Sequence, residues 1–288
     1  MSRLVYYLLI KPISLLPFSV LFLLSDGLYF VLYRIAGYRK KVVFGGIQRS
    51  FPEKNPEEVR EIAQKFYHHF CDLIVESLKL FSITAEDMVA HFRAVNPELI
   101  HPYRDAGQSI IIAGGHYNNW EMLATGINLQ MDHQAVGIYA PLKDPFLNKK
   151  ISSSRSKFGI ELLSKKLVKQ GFEKNKDVLT AVFFGTDQSP SSSRNAYWME
   201  FLHQDTAVLF GTEKYAKDYN YPVVFIHVYK VKRGYYEMKY ELITDQPQNT
   251  AYGEITEKHT RLLEADIQAQ PEYWLWTHKR WKRKREDQ

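Results

Sequence analysis

One short segment of the sequence carries side chains whose types and spacing could do acid–base chemistry. His116 and Glu121 are separated by four residues in the run His116-Tyr-Asn-Asn-Trp-Glu121. An imidazole takes up a proton near neutral pH, and a carboxylate beside it fixes its tautomer and stabilises the imidazolium. We therefore predict that His116 is a general base and that Glu121 orients its ring.

The motifs that the sequence lacks narrow the chemistry further. It has no G-x-S-x-G turn for a serine nucleophile, no H-E-x-x-H zinc motif, no Walker loop and no G-x-G-x-x-G. The single cysteine, Cys71, excludes an intrachain disulfide and a cysteine-rich zinc site. A base without an evident protein nucleophile favours direct deprotonation of a substrate hydroxyl, and we predict neither a cofactor nor a metal. His68 and Asp72, four residues apart, could hold a metal in principle, but a packed or solvated histidine is the ordinary interpretation.

Four further side chains are candidates for substrate binding. Arg155 could bind a phosphate or a developing negative charge through its bidentate guanidinium, or it could be a surface arginine in a serine-rich run. Asp187 and Gln188 end a predicted strand and could bind acceptor hydroxyls, brace Arg155, or form a structural turn. Glu213 stands at a predicted helix start, where an acid could serve the site or simply favour the helix N-terminus.

These residues need a framework, and the sequence predicts an α/β domain from Ser109 onward, where short apolar runs alternate with polar helical segments. The predicted strands cover residues 109–113, 135–139, 160–163, 178–184, 223–231 and 235–242. The predicted helices cover 118–129, 146–158, 165–175, 211–219 and 255–269. His116 then follows a buried strand, at the edge where α/β sheets bind their ligands. Before this domain, Asn55-Pro56-Glu57-Glu58 predicts the start of an amphipathic helix that ends near Phe81.

The N-terminal 42 residues predict a membrane anchor. Residues 13–33 are almost wholly apolar and about long enough to cross a hydrocarbon core, which needs ~20 residues. Arg34, Arg39, Lys40 and Lys41 follow, which favours a catalytic domain on the cytoplasmic side. The alternative is a hairpin broken at Pro17 and Gly27 that lies in the membrane interface. We divide the chain into an anchor with a basic flank, residues 1–42, and a catalytic domain, residues 43–288.

The charge is concentrated at the two ends of the chain. The net charge is +6, of which residues 1–42 carry +5 and residues 279–288 carry +4, so the remainder is mildly acidic at −3. The C-terminal run from Trp274 to Arg285 mixes tryptophan with lysine and arginine. This run could bind nucleic acid, but beside an apolar N-terminus it favours contact with an anionic membrane surface.

Several ordered motifs resemble those of one known family, the lipid A biosynthesis (lauroyl/myristoyl) acyltransferases of the lysophospholipid acyltransferase superfamily. The similar segments begin with Ala113-Gly-Gly-His-Tyr-Asn-Asn-Trp-Glu121 and Gly137-Ile-Tyr-Ala-Pro-Leu-Lys-Asp-Pro145. They continue with Phe183-Phe-Gly-Thr-Asp-Gln-Ser-Pro190, Phe201-Leu-His-Gln-Asp-Thr206 and Gly211-Thr-Glu-Lys-Tyr-Ala216. They end with Pro271-Glu-Tyr-Trp-Leu-Trp-Thr-His-Lys-Arg-Trp-Lys282.

The resemblance implies a mixed sheet flanked by helices, as in glycerolipid acyltransferases, with an N-terminal membrane-anchoring helix. It implies direct transfer of a fatty acyl chain from an acyl carrier protein or CoA thioester to a hydroxyl of a lipid A precursor at the inner membrane. His116 and Glu121 are then the catalytic pair, and Asn119 joins Arg155, Asp187, Gln188 and Glu213 as substrate-binding candidates. Two alternatives stay open: O-acylation of another membrane lipid, such as a lysophospholipid, aminolipid or other glycolipid, and a non-catalytic membrane-tethered binding protein.

Overall fold

A computed structural model describes residues 1–193 and 196–285, in which a mixed seven-stranded sheet forms the centre. The strand order is β1-β9-β8-β2-β5-β3-β4, and every neighbouring pair is parallel except the β8–β9 hairpin. A separate antiparallel hairpin pairs β6 with β7. The strands are β1 (Phe92–Ala94), β2 (Ile110–Gly114), β3 (Gln134–Tyr139), β4 (Glu161–Ser164), β5 (Thr180–Gly185), β6 (Ala196–Phe201), β7 (Gln204–Leu209), β8 (Val223–Lys232) and β9 (Tyr235–Thr244).

Helices cover the sheet and form the N-terminal region. They are α1 (Ser2–Val5), α2 (Lys11–Ser14), α3 (Phe18–Tyr29), α4 (Lys40–Ser50), α5 (Pro56–Lys79), α6 (Ala85–His91), α7 (His101–Asp105), α8 (Trp120–Gly126), α9 (Pro145–Arg155), α10 (Val168–Lys174), α11 (Gly211–Tyr219) and α12 (Glu254–Ala269). Two π-helical segments, Tyr6–Ile10 and Phe30–Ile35, connect α1 to α2 and extend α3. Short 3₁₀ turns cover Pro97–Ile100, Ile127–Leu129, Ser156–Phe158, Pro247–Asn249 and Pro271–Tyr273.

Both faces of the sheet are buried, which explains the continuous apolar runs of the central strands. All five residues of β2 are buried. Because side chains alternate along a strand, Ile111 and Ala113 join one core with α5 and α12, while Ile110 and Ile112 join a second core on the other face. The sheet is therefore held rigidly from both sides, and its carboxyl edge is a firm support for loops.

The long helix α5 begins where the sequence predicts. The Asn55 side chain accepts from the backbone N–H groups of Glu57 and Glu58, and the Glu58 carboxylate accepts from the Asn55 N–H. This capping box satisfies donors that the first helical turn would otherwise leave unpaired. The buried face of α5 includes Val59, Phe66 and Glu76.

The apolar N-terminus forms two helical stretches instead of one continuous span. The first ends at Ser14, and Pro17 precedes the second, residues 18–35, which passes through Gly27 without a break. If these residues form a hairpin in the membrane interface, the hairpin is broken at Pro17 and not at Gly27. Among the described residues, this second stretch is the one long and apolar enough to cross a membrane by length and composition. Leu23, Phe30 and Ile35 leave more than half of their surface exposed.

The mixed α/β architecture and the N-terminal apolar helix agree with the sequence prediction. Each predicted strand from residue 109 onward is present, with bounds shifted by one or two residues, and 211–219 is a helix throughout. The pattern missed β1, the β6–β7 hairpin, α4, α6 and α7. The division at residue 42 falls inside α4, and its C-terminal limit at 288 lies outside the described residues.

Candidate active site

The register of two parallel strands brings His116 and Asp187 together. β2 and β5 are neighbours, and Gly114 at the end of β2 stands opposite Gly185 at the end of β5. His116 and Asp187 each follow two residues later, so both lie at the carboxyl edge of the sheet. A Cβ at Gly115 would lie 2.7 Å from the Leu263 side chain of α12, so a glycine is needed for the loop to pass this close.

Asp187 holds the His116 ring through a network of hydrogen bonds. Nδ1 of His116 lies 2.7 Å from Oδ1 of Asp187, and the His116 backbone N–H donates to Oδ2 at 2.9 Å. The indole N–H of Trp274 donates to the same Oδ2 at 2.8 Å. Asp187 is buried, whereas the His116 side chain is 24% exposed. The carboxylate is therefore fixed in the interior, and the imidazole can meet a substrate.

In the neutral form of His116, the contacts of the ring assign the proton to Nδ1 and leave Nε2 unprotonated. Because an ionised carboxylate can only accept, Nδ1 of the neutral ring carries the proton, and Nε2 is left as a lone-pair acceptor. The carboxamide nitrogen of Gln188 lies 3.1 Å from Nε2 and donates to it. This tautomer suits a general base, since Nε2 can take a proton as soon as a substrate hydroxyl replaces the Gln188 amide.

The charges of the pair shift both pKa values in opposite directions. Burial alone would lower the pKa of His116, but the Asp187 carboxylate outweighs burial and raises that pKa above the ordinary value of 6.5. Burial would raise the pKa of Asp187, but the charge of His116 and the N–H donors hold it far below its ordinary 3.8. Asp187 therefore stays ionised, and its charge favours the imidazolium form of His116.

Glu121 does not orient His116, which corrects the sequence prediction. Its two carboxylate oxygens accept from Nη2 and Nε of Arg155 at 2.6 and 2.9 Å. The physical reason is the loop: His116 precedes the N-cap Asn119, whereas Glu121 lies in the first turn of α8, facing Arg155 at the end of α9. Glu121 still acts on His116 through space, because its negative charge favours the imidazolium.

Asn119 is buried in a structural role instead of facing a substrate. Its Oδ1 caps α8 by accepting from the Met122 N–H at 2.9 Å, and its Nδ2 donates to the Glu76 carboxyl at 2.6 Å. Tyr236 donates to the same oxygen of Glu76 at 2.8 Å. With 1% of its surface exposed, Asn119 uses both polar atoms of its amide inside the protein, and these contacts do not support the prediction that it binds a substrate.

Glu213 is likewise a helix-capping residue. It is fully buried, and its carboxylate accepts from the backbone N–H groups of Gly253 and Thr256 and from the Thr256 hydroxyl. Of its two predicted roles, the structure supports the helix N-terminus, although the helix that it serves is α12 and not its own.

The C-terminal motif braces the catalytic loop, a role that the sequence did not indicate. Tyr117 and Trp274 form an antiparallel bridge, and the Leu275 N–H donates to the His116 carbonyl. Farther on, His278 accepts from the Ser189 N–H at 3.2 Å. Trp274 and Trp276 are buried and Trp281 is partly buried, so the aromatic character of the segment reflects packing against the site.

No group of three or more histidine, cysteine, aspartate or glutamate side chains within residues 1–193 and 196–285 could hold a metal ion. His68 stacks on Tyr29, and Asp72 binds Arg233 and Ser25. The predicted pair therefore serves packing between helices and an ion pair.

The fold and this site define a class of protein: an α/β protein with a histidine, hydrogen-bonded to a buried carboxylate, at the carboxyl edge of a mixed sheet. The sequence matches the model of the bacterial lipid A biosynthesis acyltransferase family over residues 3–283. The chain belongs to this family, which makes it an acyltransferase of the lipid A biosynthesis type. None of the curated proteins compared with the chain matches it.

Proposed function

We propose that this protein transfers a fatty acyl chain from an acyl carrier protein or CoA thioester to a hydroxyl of a lipid A precursor, with His116 as general base. The observation that carries the proposal is the pair of contacts made by the two ring nitrogens of His116. Asp187 holds Nδ1, and Nε2 is an acceptor 3.1 Å from the Gln188 amide. Family membership supports the reaction class and the acceptor type.

In the proposed reaction the acceptor hydroxyl takes the place of the Gln188 amide at Nε2. His116 removes the hydroxyl proton as the oxygen attacks the thioester carbonyl, and the resulting tetrahedral oxyanion collapses with cleavage of the carbon–sulfur bond. The imidazolium then returns its proton to the leaving thiolate. Asp187 keeps the ring in one tautomer and stabilises its positive charge throughout.

No acyl-enzyme is needed in this scheme. Cys71, the single cysteine, is buried, and burial raises the pKa of its thiol to about 12. It therefore offers no thiolate nucleophile near neutral pH. Direct attack by the lipid hydroxyl uses the base that the site contains.

Arg155, held in place by Glu121, would donate a hydrogen bond to an anionic group of the substrate. Glu121 occupies Nε and Nη2 of Arg155, which leaves Nη1 for a phosphate or for the developing oxyanion. Both side chains are partly exposed, so a ligand can reach them. Glu121 then contributes by positioning Arg155 and by its charge near His116.

We propose that the N-terminal stretch lies in the membrane interface on the cytoplasmic side, attached to the inner membrane. Arg233, in the β8–β9 turn, forms ion pairs with Asp26 on α3 at 2.6 Å and with Asp72 on α5 at 2.7 Å. If residues 18–35 spanned the bilayer, this ion-paired turn of the catalytic domain would lie within the hydrocarbon, at a high cost in free energy. An interfacial helix keeps the ion pairs near water while its exposed apolar side chains enter the lipid.

Purified protein, acyl carrier protein thioester and lipid A precursor test the proposed reaction directly. We expect product from the wild type and a loss of roughly 10²- to 10⁴-fold in kcat for His116→Ala. His101→Ala, on α7, is the matched control and should keep full activity. Equal product from wild type and His116→Ala would contradict the mechanism.

The acceptor is tested by mass spectrometry of lipids from a deletion strain. Loss of one acyl chain from lipid A would support the proposed acceptor. An unchanged lipid A acyl pattern would favour O-acylation of another membrane lipid. A wild type that makes no product from any acceptor would favour the non-catalytic binding protein.

A further inference from the structure

A cationic cavity lies beside the catalytic loop and takes no part in the proposed acid–base chemistry. Its volume is about 250 Å³, and it lies between α4 and the C-terminal segment. Six of its lining residues are Arg49, His278, Lys279, Arg280, Trp281 and Lys282. Four of these carry a fixed positive charge and none is acidic, so the cavity presents a concentrated positive potential.

Arg280 is the least expected member of this set. Its surface is only 3% exposed, and its Nε is buried without a hydrogen-bond partner among the described residues. A buried charge is costly unless a counter-charge or hydrogen bonds compensate for it. Burial lowers the pKa of Arg280 to about 10, which is still high enough to keep the guanidinium protonated at neutral pH.

Asp187 is the carboxylate whose charge acts on Arg280, but it does not neutralise the guanidinium. Asp187 attracts it from a distance, but the two form no ion pair within 4 Å, and Asp187 already accepts from His116 and Trp274. Arg49, Lys279 and Lys282 also have no salt bridge within residues 1–193 and 196–285. Four cations around one cavity thus share no anionic side chain.

His278 lies between the cavity and the loop that follows β5. This residue lines the cavity, and its Nε2 accepts from the N–H of Ser189, the residue after Gln188. The amide of Gln188 in turn lies 3.1 Å from Nε2 of His116, so a chain of hydrogen bonds and one peptide unit connects the cavity lining to the proposed base. The aromatic ring of Trp281 provides an apolar wall for the carbon atoms next to a charged group.

We propose that this cavity binds a phosphate ester of a substrate. Phosphate oxygens accept several charge-assisted hydrogen bonds at once and match the bidentate guanidinium, which a single carboxylate from this chain does not supply here. The volume corresponds to about eight waters at ~30 Å³ each, enough for a phosphate and the first carbons of the group that carries it. The assignment rests on the proposed function for the identity of the substrates, either the phosphorylated lipid acceptor or the donor.

Tryptophan fluorescence of the full-length protein in detergent micelles provides a binding measurement that does not depend on turnover, because Trp276 and Trp281 line the cavity. The protein is titrated with a phosphorylated lipid A precursor and with the same lipid after chemical dephosphorylation. A second pair of titrations uses acyl-CoA and acyl-pantetheine, which lacks phosphate. Arg280→Gln and the double variant Lys279→Gln/Lys282→Gln are compared with Arg60→Gln, an exposed arginine on α5.

We expect the wild type and Arg60→Gln to bind one phosphorylated ligand at least about tenfold more tightly than its phosphate-free counterpart. The variants in the cavity should lose most of that difference. Loss in the lipid pair assigns the phosphate to the acceptor, and loss in the CoA pair assigns it to the donor. If Arg280→Gln does not fold, the double variant decides, since Lys279 and Lys282 are exposed.

An equal preference for phosphate in wild type and folded variants, or no preference in either pair, would overturn the proposal. Failure of the proposed function is recognised separately: the wild type would bind the phosphorylated ligand through the cavity and yet form no acylated product. Conversely, full product formation with unchanged KM values in every variant would leave the acyltransferase function intact and remove the phosphate site.

Discussion

Replacing Asp187 by asparagine should inactivate the base without removing any atom of His116. Oδ2 of Asp187 accepts from two fixed donors, the His116 backbone N–H and the Trp274 indole, while Oδ1 faces Nδ1 of His116. The single carbonyl oxygen of asparagine will take the place of Oδ2, because an NH₂ group there would face two N–H donors. Its NH₂ group then faces Nδ1 and forces the proton onto Nε2, where it blocks proton abstraction.

The expected magnitude follows from the wrong tautomer and the lost charge. Removing a positioned general base costs about 10²- to 10⁴-fold in rate, so we expect kcat for Asp187→Asn to fall by roughly 10³-fold, or about 4 kcal/mol in activation free energy. The pKa of His116 should also fall, because Asp187 is the group that raises it.

Acyl transfer to the lipid acceptor, measured between pH 5.5 and 9, provides the assay for this variant. Glu121→Gln is the matched control, since it removes an acid that binds Arg155 instead of His116. It should raise the acceptor KM and leave kcat within about tenfold. If Asp187→Asn kept near wild-type kcat while Glu121→Gln lost 10³-fold, the assignment of the orienting carboxylate would be wrong.

Three further variants test the parts of the structure around the site. Glu76→Gln should raise the Tm relative to wild type by an amount that grows between pH 4.5 and pH 7 and then stays constant. Burial raises the pKa of Glu76 to about 7, so the unfolded state releases its proton at lower pH than the native state does, and the wild type loses stability across this range. A difference in Tm that is the same at pH 5 and pH 8 would refute this. His259→Leu should make the free energy of unfolding depend less on pH under acidic conditions. Burial lowers the pKa of His259 to about 3, so the wild type loses about 2 kcal/mol of stability between pH 8 and pH 5 as the unfolded state takes up a proton. Denaturant unfolding of the variant with the same pH dependence as wild type would argue against this. Glu213→Gln should lower the free energy of unfolding by about 1–3 kcal/mol, because one amide oxygen cannot accept from the N–H groups of both Gly253 and Thr256. It should leave kcat/KM near the wild-type value. A large loss of kcat/KM in folded protein would indicate that Glu213 takes part in the active site.

The periodicity of the sequence predicted the sheet because its central strands are buried on both faces. β2 and β5 are apolar throughout or nearly so, and helical segments separate them from the neighbouring strands. β1 has only three residues, which is too short for a pattern, and the strands of the β6–β7 hairpin leave polar and partly exposed residues along their length. Such elements form through tertiary contacts more than through their own pattern.

The sequence identified His116 but assigned its carboxylate to the nearest acid. Glu121 is close along the chain, whereas Asp187 is 71 residues away and reaches His116 only through the pairing of β2 with β5. The available signal was that both residues follow the ends of predicted strands. Spacing alone did not reveal that the first turn of α8 directs Glu121 to Arg155.

The pH dependence of kcat/KM for acyl transfer, compared between wild type and His116→Ala, tests the central claim most directly. Because only neutral His116 can accept a proton and Asp187 raises its pKa, the wild-type rate should increase with pH through a single pKa above 6.5 and then level off. His116→Ala should lose at least about 10²-fold at the plateau and show no such transition. A His116→Ala enzyme that kept both the plateau rate and the same transition would contradict a histidine base.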